Sequence, residues 1–194
     1  LCGLTISCSN FTFYSQGVSG MTATTDDTNQ TVRLQRLMLG HGLFVILVSM
    51  LAGFMLMFGL IGGFEIWPGH ILEFSVYGTT EGWVRAHSGG LTNGLLAMAV
   101  GFALPKIGIR GAKEKFVAYG FIYVAWSFTV FYWLGNASGN RALTFGDNQM
   151  GESSLISILG FLPGLPSVFL VLVLLAVVIK ALLFGANGTA GSKD

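Results

Sequence analysis

The chain has 194 residues, 53% of them hydrophobic and 10% charged, with a mean hydropathy of +0.70 and a net charge of +1. Soluble domains carry about a quarter charged residues, so this is a membrane protein, and its length suits one compact domain. The near-neutral balance gives no reason to expect a nucleic-acid partner.

Residues 1–32 read as a flexible polar tail. They hold Ser, Thr, Asn and Gly clusters without a sustained apolar period. They lack the basic start and apolar core of a signal peptide, and Met21 is a candidate natural start. Cys2 and Cys8 both fall there, and no structural disulfide is expected on the cytoplasmic side. No Cys-x-x-Cys-His occurs, so any haem is expected to be held without thioether links.

The stretches 37–63, 86–105, 116–140 and 153–179 lack Asp, Glu, Lys and Arg. Each reaches the roughly 20 residues that a spanning helix needs. None shows the dyad alternation of a β-barrel. Helices are predicted over 33–63, 81–104, 112–135 and 154–184, giving an all-α integral membrane bundle of four transmembrane helices. Residues 33–184 form its domain, and 185–194 read as a flexible C-terminal tail. Pro163, Gly164 and Pro166 predict a kink or break near the start of the fourth helix.

Basic residues set the orientation. Arg33, Arg36, Lys106, Arg110, Lys113, Lys115, Lys180 and Lys193 fall on one side; Arg85 and Arg141 fall on the other. Both termini and the 105–115 loop are therefore expected in the cytoplasm. Loops 64–80 and 136–153 then face outward. Glu65 reads as a brace of the first outer loop. Trp67, Tyr77, Trp83 and Trp133, near the outer helix ends, read as interfacial anchors.

Polar groups inside the membrane are the functional candidates. Of the three histidines, His41 near the inner end reads as structural and His70 as a loop residue. His87 stands out, with Gly89, Gly90 and Gly94 leaving bare backbone beside it, as a large flat ligand requires. A metal-bearing macrocycle held by this imidazole is the leading expectation. His41 and His87 each sit roughly 8–9 Å from opposite faces of a roughly 30 Å core, so they are poorly placed to share one iron. A single protein ligand leaves an open position, which suits Lewis-acid chemistry better than electron transfer. Asn93 lies about 9 Å and about 120° around the helix from His87. If both act on one iron, they are expected to come from different subunits. The alternative for Asn93 is an interhelical hydrogen bond. Depth alone favours Tyr123, among the tyrosines of the third helix, as the partner of Asn93.

The segments Gly62-Gly-Phe-Glu-Ile-Trp-Pro-Gly69, Ile71-Leu-Glu-Phe74, Glu81-Gly-Trp-Val-Arg-Ala-His-Ser-Gly89, Asn93-Gly94 and Asn140-Arg-Ala-Leu-Thr-Phe-Gly146 resemble the styrene oxide isomerase family. The likeness runs from about Leu39 into the fourth helix. It implies a bacterial multi-pass enzyme of the cytoplasmic (inner) membrane, assembled as a homotrimer with haem b between protomers. It places the axial, metal-binding histidine on His87 and the catalytic pair on Asn93 and Tyr132, the latter in place of Tyr123. The implied reaction turns a small apolar aryl epoxide, styrene oxide, into phenylacetaldehyde, as in styrene degradation. Ferric iron acts as the Lewis acid, the ring opens and a 1,2-hydride shift follows. Arg85 and Arg141 have two readings: haem propionates, or Glu73, Glu81 and lipid phosphate. Competing functions are a haem-binding membrane electron carrier and a cofactor-free channel or transporter.

Overall fold

A computed structural model describes residues 25–185. Cys2, Cys8, Met21, Lys193 and the C-terminal tail beyond Gly185 lie outside the described residues. The elements run α1 Thr25–Ile61, β1 Gly63–Trp67, β2 His70–Glu73, α2 Thr80–Ile107, α3 Ala112–Asn136 and α4 Leu155–Phe184. All four helices are long and apolar enough to cross a membrane. In hydrocarbon a helix satisfies every backbone polar group within its own segment, which is why such runs fold this way. The chain is a four-helix membrane bundle, with α1 on α2, α2 on α3, α3 on α4, and α1 also against α3.

Three expectations need correction. The first helix begins at Thr25, inside the segment expected as tail. Asp26 and Asp27 sit in its first turn, where the helix dipole favours acids. Gln30 and Thr31 then dock on Glu114 of α3, donating through Nε2 at 3.1 Å and through Oγ1. Next, of the kink or break expected near Pro163 and Pro166, the break is absent: α4 is continuous through both. Two prolines within one turn forfeit only two backbone donors, and Ser167 Oγ donates to the Pro163 carbonyl at 2.8 Å. Finally, Trp83 is no interfacial anchor. It is 1% exposed, its Nε1 donates to the Tyr77 carbonyl at 2.9 Å, and it meets Trp133 edge to face.

The first outer loop is a hairpin. Gly63 pairs with Glu73, Phe64 with Leu72 and Glu65 with Ile71, and the register shifts before Trp67. Pro68-Gly69 supplies the turn, with Gly69 at φ 84°. Glu65 does brace it, accepting from the Gly69 amide at 2.8 Å. Thr79 caps α2 by accepting from Gly82 N, and Ser154 with Ser157 forms a capping box on α4.

The largest core cluster lies towards the basic end, around Met38, Leu104, Phe121 and Leu174. A smaller one around Ala52, Trp83 and Ala86, with Tyr132 and Trp133 packed against it, lies at the opposite end. That second end carries the candidate site.

Candidate functional site

Helix α2 meets α1 through bare backbone. A Cβ on Gly94 would stand 2.7 Å from the Gly42 carbonyl oxygen, and one on Gly90 would stand 2.9 Å from Ser49 Cβ. This close approach, typical of small-residue contacts between membrane helices, sets His87 against α1. Ser49 Oγ donates to the His87 carbonyl. His87 Nδ1 lies 2.9 Å from the Ser49 carbonyl oxygen. A carbonyl can only accept, so Nδ1 carries a proton, and in the neutral ring the lone pair is on Nε2. The ring lies over Gly53, where a Cβ would sit 2.8 Å from Nδ1. Ser49 and Gly53 therefore fix the imidazole's tautomer and its tilt. The sequence reading missed both, although a lone serine within an apolar span is itself a signal.

The opposite face of α2 looks at α3. Gly89 lies beneath the Tyr132 ring, with a would-be Cβ 2.4 Å from Cε2. Asn93, one turn further on, neighbours the Tyr132 hydroxyl, as does the Arg85 charge. The contact with Asn93 is loose, because its buried Nδ2 makes no well-formed hydrogen bond. Trp133 Nε1 and Asn136 Nδ2 are also buried and unpartnered. Tyr132 stacks on Phe128 at 6.2 Å, lying back along its own helix.

That stacking explains why depth misled. Side chains lean towards the N-terminus of their helix. Helices α2 and α3 run in opposite directions, so Asn93 and Tyr132 lean towards each other. They differ in position along the helices, yet Asn93 neighbours the Tyr132 hydroxyl. Tyr123 is 43% exposed on α3.

Arg85, Tyr132, Asn136 and Arg141 line one cleft of about 80 Å³. Arg141 is held there by the 137–153 loop. Buried Asn140 donates Nδ2 to the carbonyls of Thr144 and Gly146 and accepts from the Ala142 amide. Arg141 and Ala142 sit at φ 57° and 55°, left-handed values uncommon outside glycine. Strain of this kind persists only where surrounding contacts over-determine it. Neither arginine forms an ion pair with Glu73 or Glu81 among the described residues.

The sequence model for styrene oxide isomerase matches residues 34–183. The chain belongs to the styrene oxide isomerase family. Styrene-oxide isomerase of Pseudomonas fluorescens is 44% identical over 129 residues, covering 66% of this chain and 76% of that relative. Both the His87 face and the Asn93–Tyr132 face lie within the segment matched by the family.

The remaining histidines stand apart from the site. His41 Nδ1 accepts from Trp126 Nε1 at 3.1 Å, a structural bond. His70 opens β2 and is exposed. His87 lies level with Gly53 of α1. His41 is twelve residues earlier on that helix, a rise of roughly 18 Å. The two cannot grip one iron within one chain.

Proposed function

We propose that this protein is an isomerase that rearranges an aryl epoxide, styrene oxide in the first instance, to the aldehyde phenylacetaldehyde. The observation that carries this reading is the His87 imidazole, with Nδ1 committed to a backbone carbonyl. Its Nε2 is left as a ready ligand in a membrane helix. Metal-bound histidines characteristically donate their other ring N–H in this way.

The residues fit haem b. Nε2 of His87 would hold the iron, and Gly53 makes room for the imidazole ring that carries it. Arg85 and Arg141, free of the local acids, suit propionates. When bound, ferric haem supplies an open Lewis-acid position.

The chain's own residues do the rest. The faces of α2 that carry His87 and Asn93 differ by about 120°. The pair Asn93–Tyr132 of one copy is therefore proposed to complete the site built on His87 of a neighbour, in a trimer as the family resemblance implies. Opening the epoxide puts negative charge on oxygen. Asn93 Nδ2, a buried donor lacking an acceptor, and the Tyr132 hydroxyl stabilise that charge and orient the ring. Phe128 and Phe131 beside Tyr132 help keep the pocket apolar. Water that would trap the benzylic cation as a diol stays out, and a hydride from the adjacent carbon completes the aldehyde. The basic end of the bundle is assigned to the cytoplasm of a bacterial inner membrane.

The test is direct. Purified protein is expected to show a haem absorption band and to form phenylacetaldehyde from styrene oxide without reductant. Colourless protein with full turnover would overturn the cofactor; pigmented protein without turnover would favour the electron carrier.

A further inference from the structure

At the basic end, the turn between α2 and α3 is tight. Gly108 and Gly111 take positive φ, 76° and 66°, and this returns the chain so that Lys106 and Lys113 border the same groove. Lys180 of α4 borders it too. These three lysines, with Phe116, Val177 and Phe184, line one groove of about 690 Å³. Among the described residues no acidic one lines it. The acid next to Lys113 in sequence, Glu114, is fully buried and accepts hydrogen bonds from Thr31 and Gln30 of α1. None of the three lysines has a hydrogen bond or ion pair among the described residues.

Three like charges converging from three elements repel one another unless an anion sits among them. The apolar wall says which anion. An inorganic ion would leave Phe116, Val177 and Phe184 uncovered, whereas a lipid brings a phosphate and a hydrocarbon chain together. We propose that this groove binds one anionic phospholipid per chain. Its phosphate lies among Lys106, Lys113 and Lys180, and an acyl chain runs along the apolar wall. The ammonium groups are compact point charges that suit a phosphate without a fixed fork geometry. Basic pockets between membrane helices recognise headgroups in this manner. The bland reading is a diffuse positive field, since Arg33, Arg36, Arg110 and Lys115 lie at the same end. The two readings differ in which lysines matter.

Full-length protein in neutral detergent is titrated with phosphatidylglycerol or phosphatidylcholine, and bound lipid is read by native mass spectrometry. The expectation is one phosphatidylglycerol per chain, retained with a preference of roughly tenfold or more. Replacing Lys106, Lys113 and Lys180 together by Gln removes the preference, and replacing them by Arg keeps it. Replacing Arg33, Arg36 and Lys115 by Gln leaves it within about twofold. Circular dichroism checks folding, and Lys113→Gln alone, with a partial loss, serves if the triple variant does not fold. Equal losses in both Gln sets would assign the preference to the diffuse field. Undiminished preference in the groove variants would remove the site, and displacement by equimolar inorganic phosphate would make the ligand a free ion.

Discussion

The two faces of α2 are built on opposite plans. Towards α1, polar groups are satisfied within the chain: Ser49 serves the His87 carbonyl through Oγ and the imidazole through its own carbonyl. Towards α3, Asn93, Trp133 and Asn136 each bury a donor without an acceptor. A buried polar group left unpaired costs about 1–3 kcal/mol. One face thus fixes a side chain by hydrogen bonds within the chain, while the other buries unpaired donors. Under the proposed function, such a division would position the cofactor from one helix face and stabilise charge from another.

The most severe way to break the comparison is His87→Ala. Turnover of styrene oxide, followed by aldehyde formation, is expected to fall by about 10³-fold or more, because several kcal/mol of Lewis-acid stabilisation leave with the ligand. Full pigment and turnover in that variant would dismiss His87 as the ligand. Next come Asn93→Ala and Tyr132→Phe, each slowing turnover by about 10²-fold while pigment content holds. Tyr123→Phe is the control, and a larger loss there than in Tyr132→Phe would reverse the assignment. Gly53→Ala acts only through His87. The added Cβ, 2.8 Å from Nδ1, should tilt the ring and weaken cofactor retention by roughly 10–100-fold, the usual cost of disturbing a ligand's support. Unchanged cofactor affinity would mean that α1 gives way instead. The smallest effect belongs to Trp126→Phe, which removes the donor to His41. About 1 kcal/mol of stability is expected to go, with turnover unaffected.

Some of this was legible in the residues and some was not. The hairpin carried a signal in Trp67-Pro68-Gly69-His70, a proline and glycine at the two central turn positions. Its strands, five and four residues long, were too short for a periodicity argument beside long apolar helices. The helical start at Thr25 was hidden because its support is Glu114, far along the chain. Trp83 could not be told from an anchor, since position along the helix says nothing about what packs against it. Tyr132 was placed by family motif, whereas distance along the helix pointed to Tyr123.

The sequence by itself determined the membrane class and the four helices, and it singled out His87 as the candidate ligand. Long charge-free runs have one stable form in hydrocarbon, and a lone imidazole within one demands a partner. Only the tertiary structure decided which ring nitrogen carries the hydrogen bond, that Gly53 makes room for the imidazole, and how Tyr132 comes to neighbour Asn93. Those facts depend on side chains leaning across interfaces between helices distant in sequence, and helix-by-helix periodicity contains no term for a neighbour's direction.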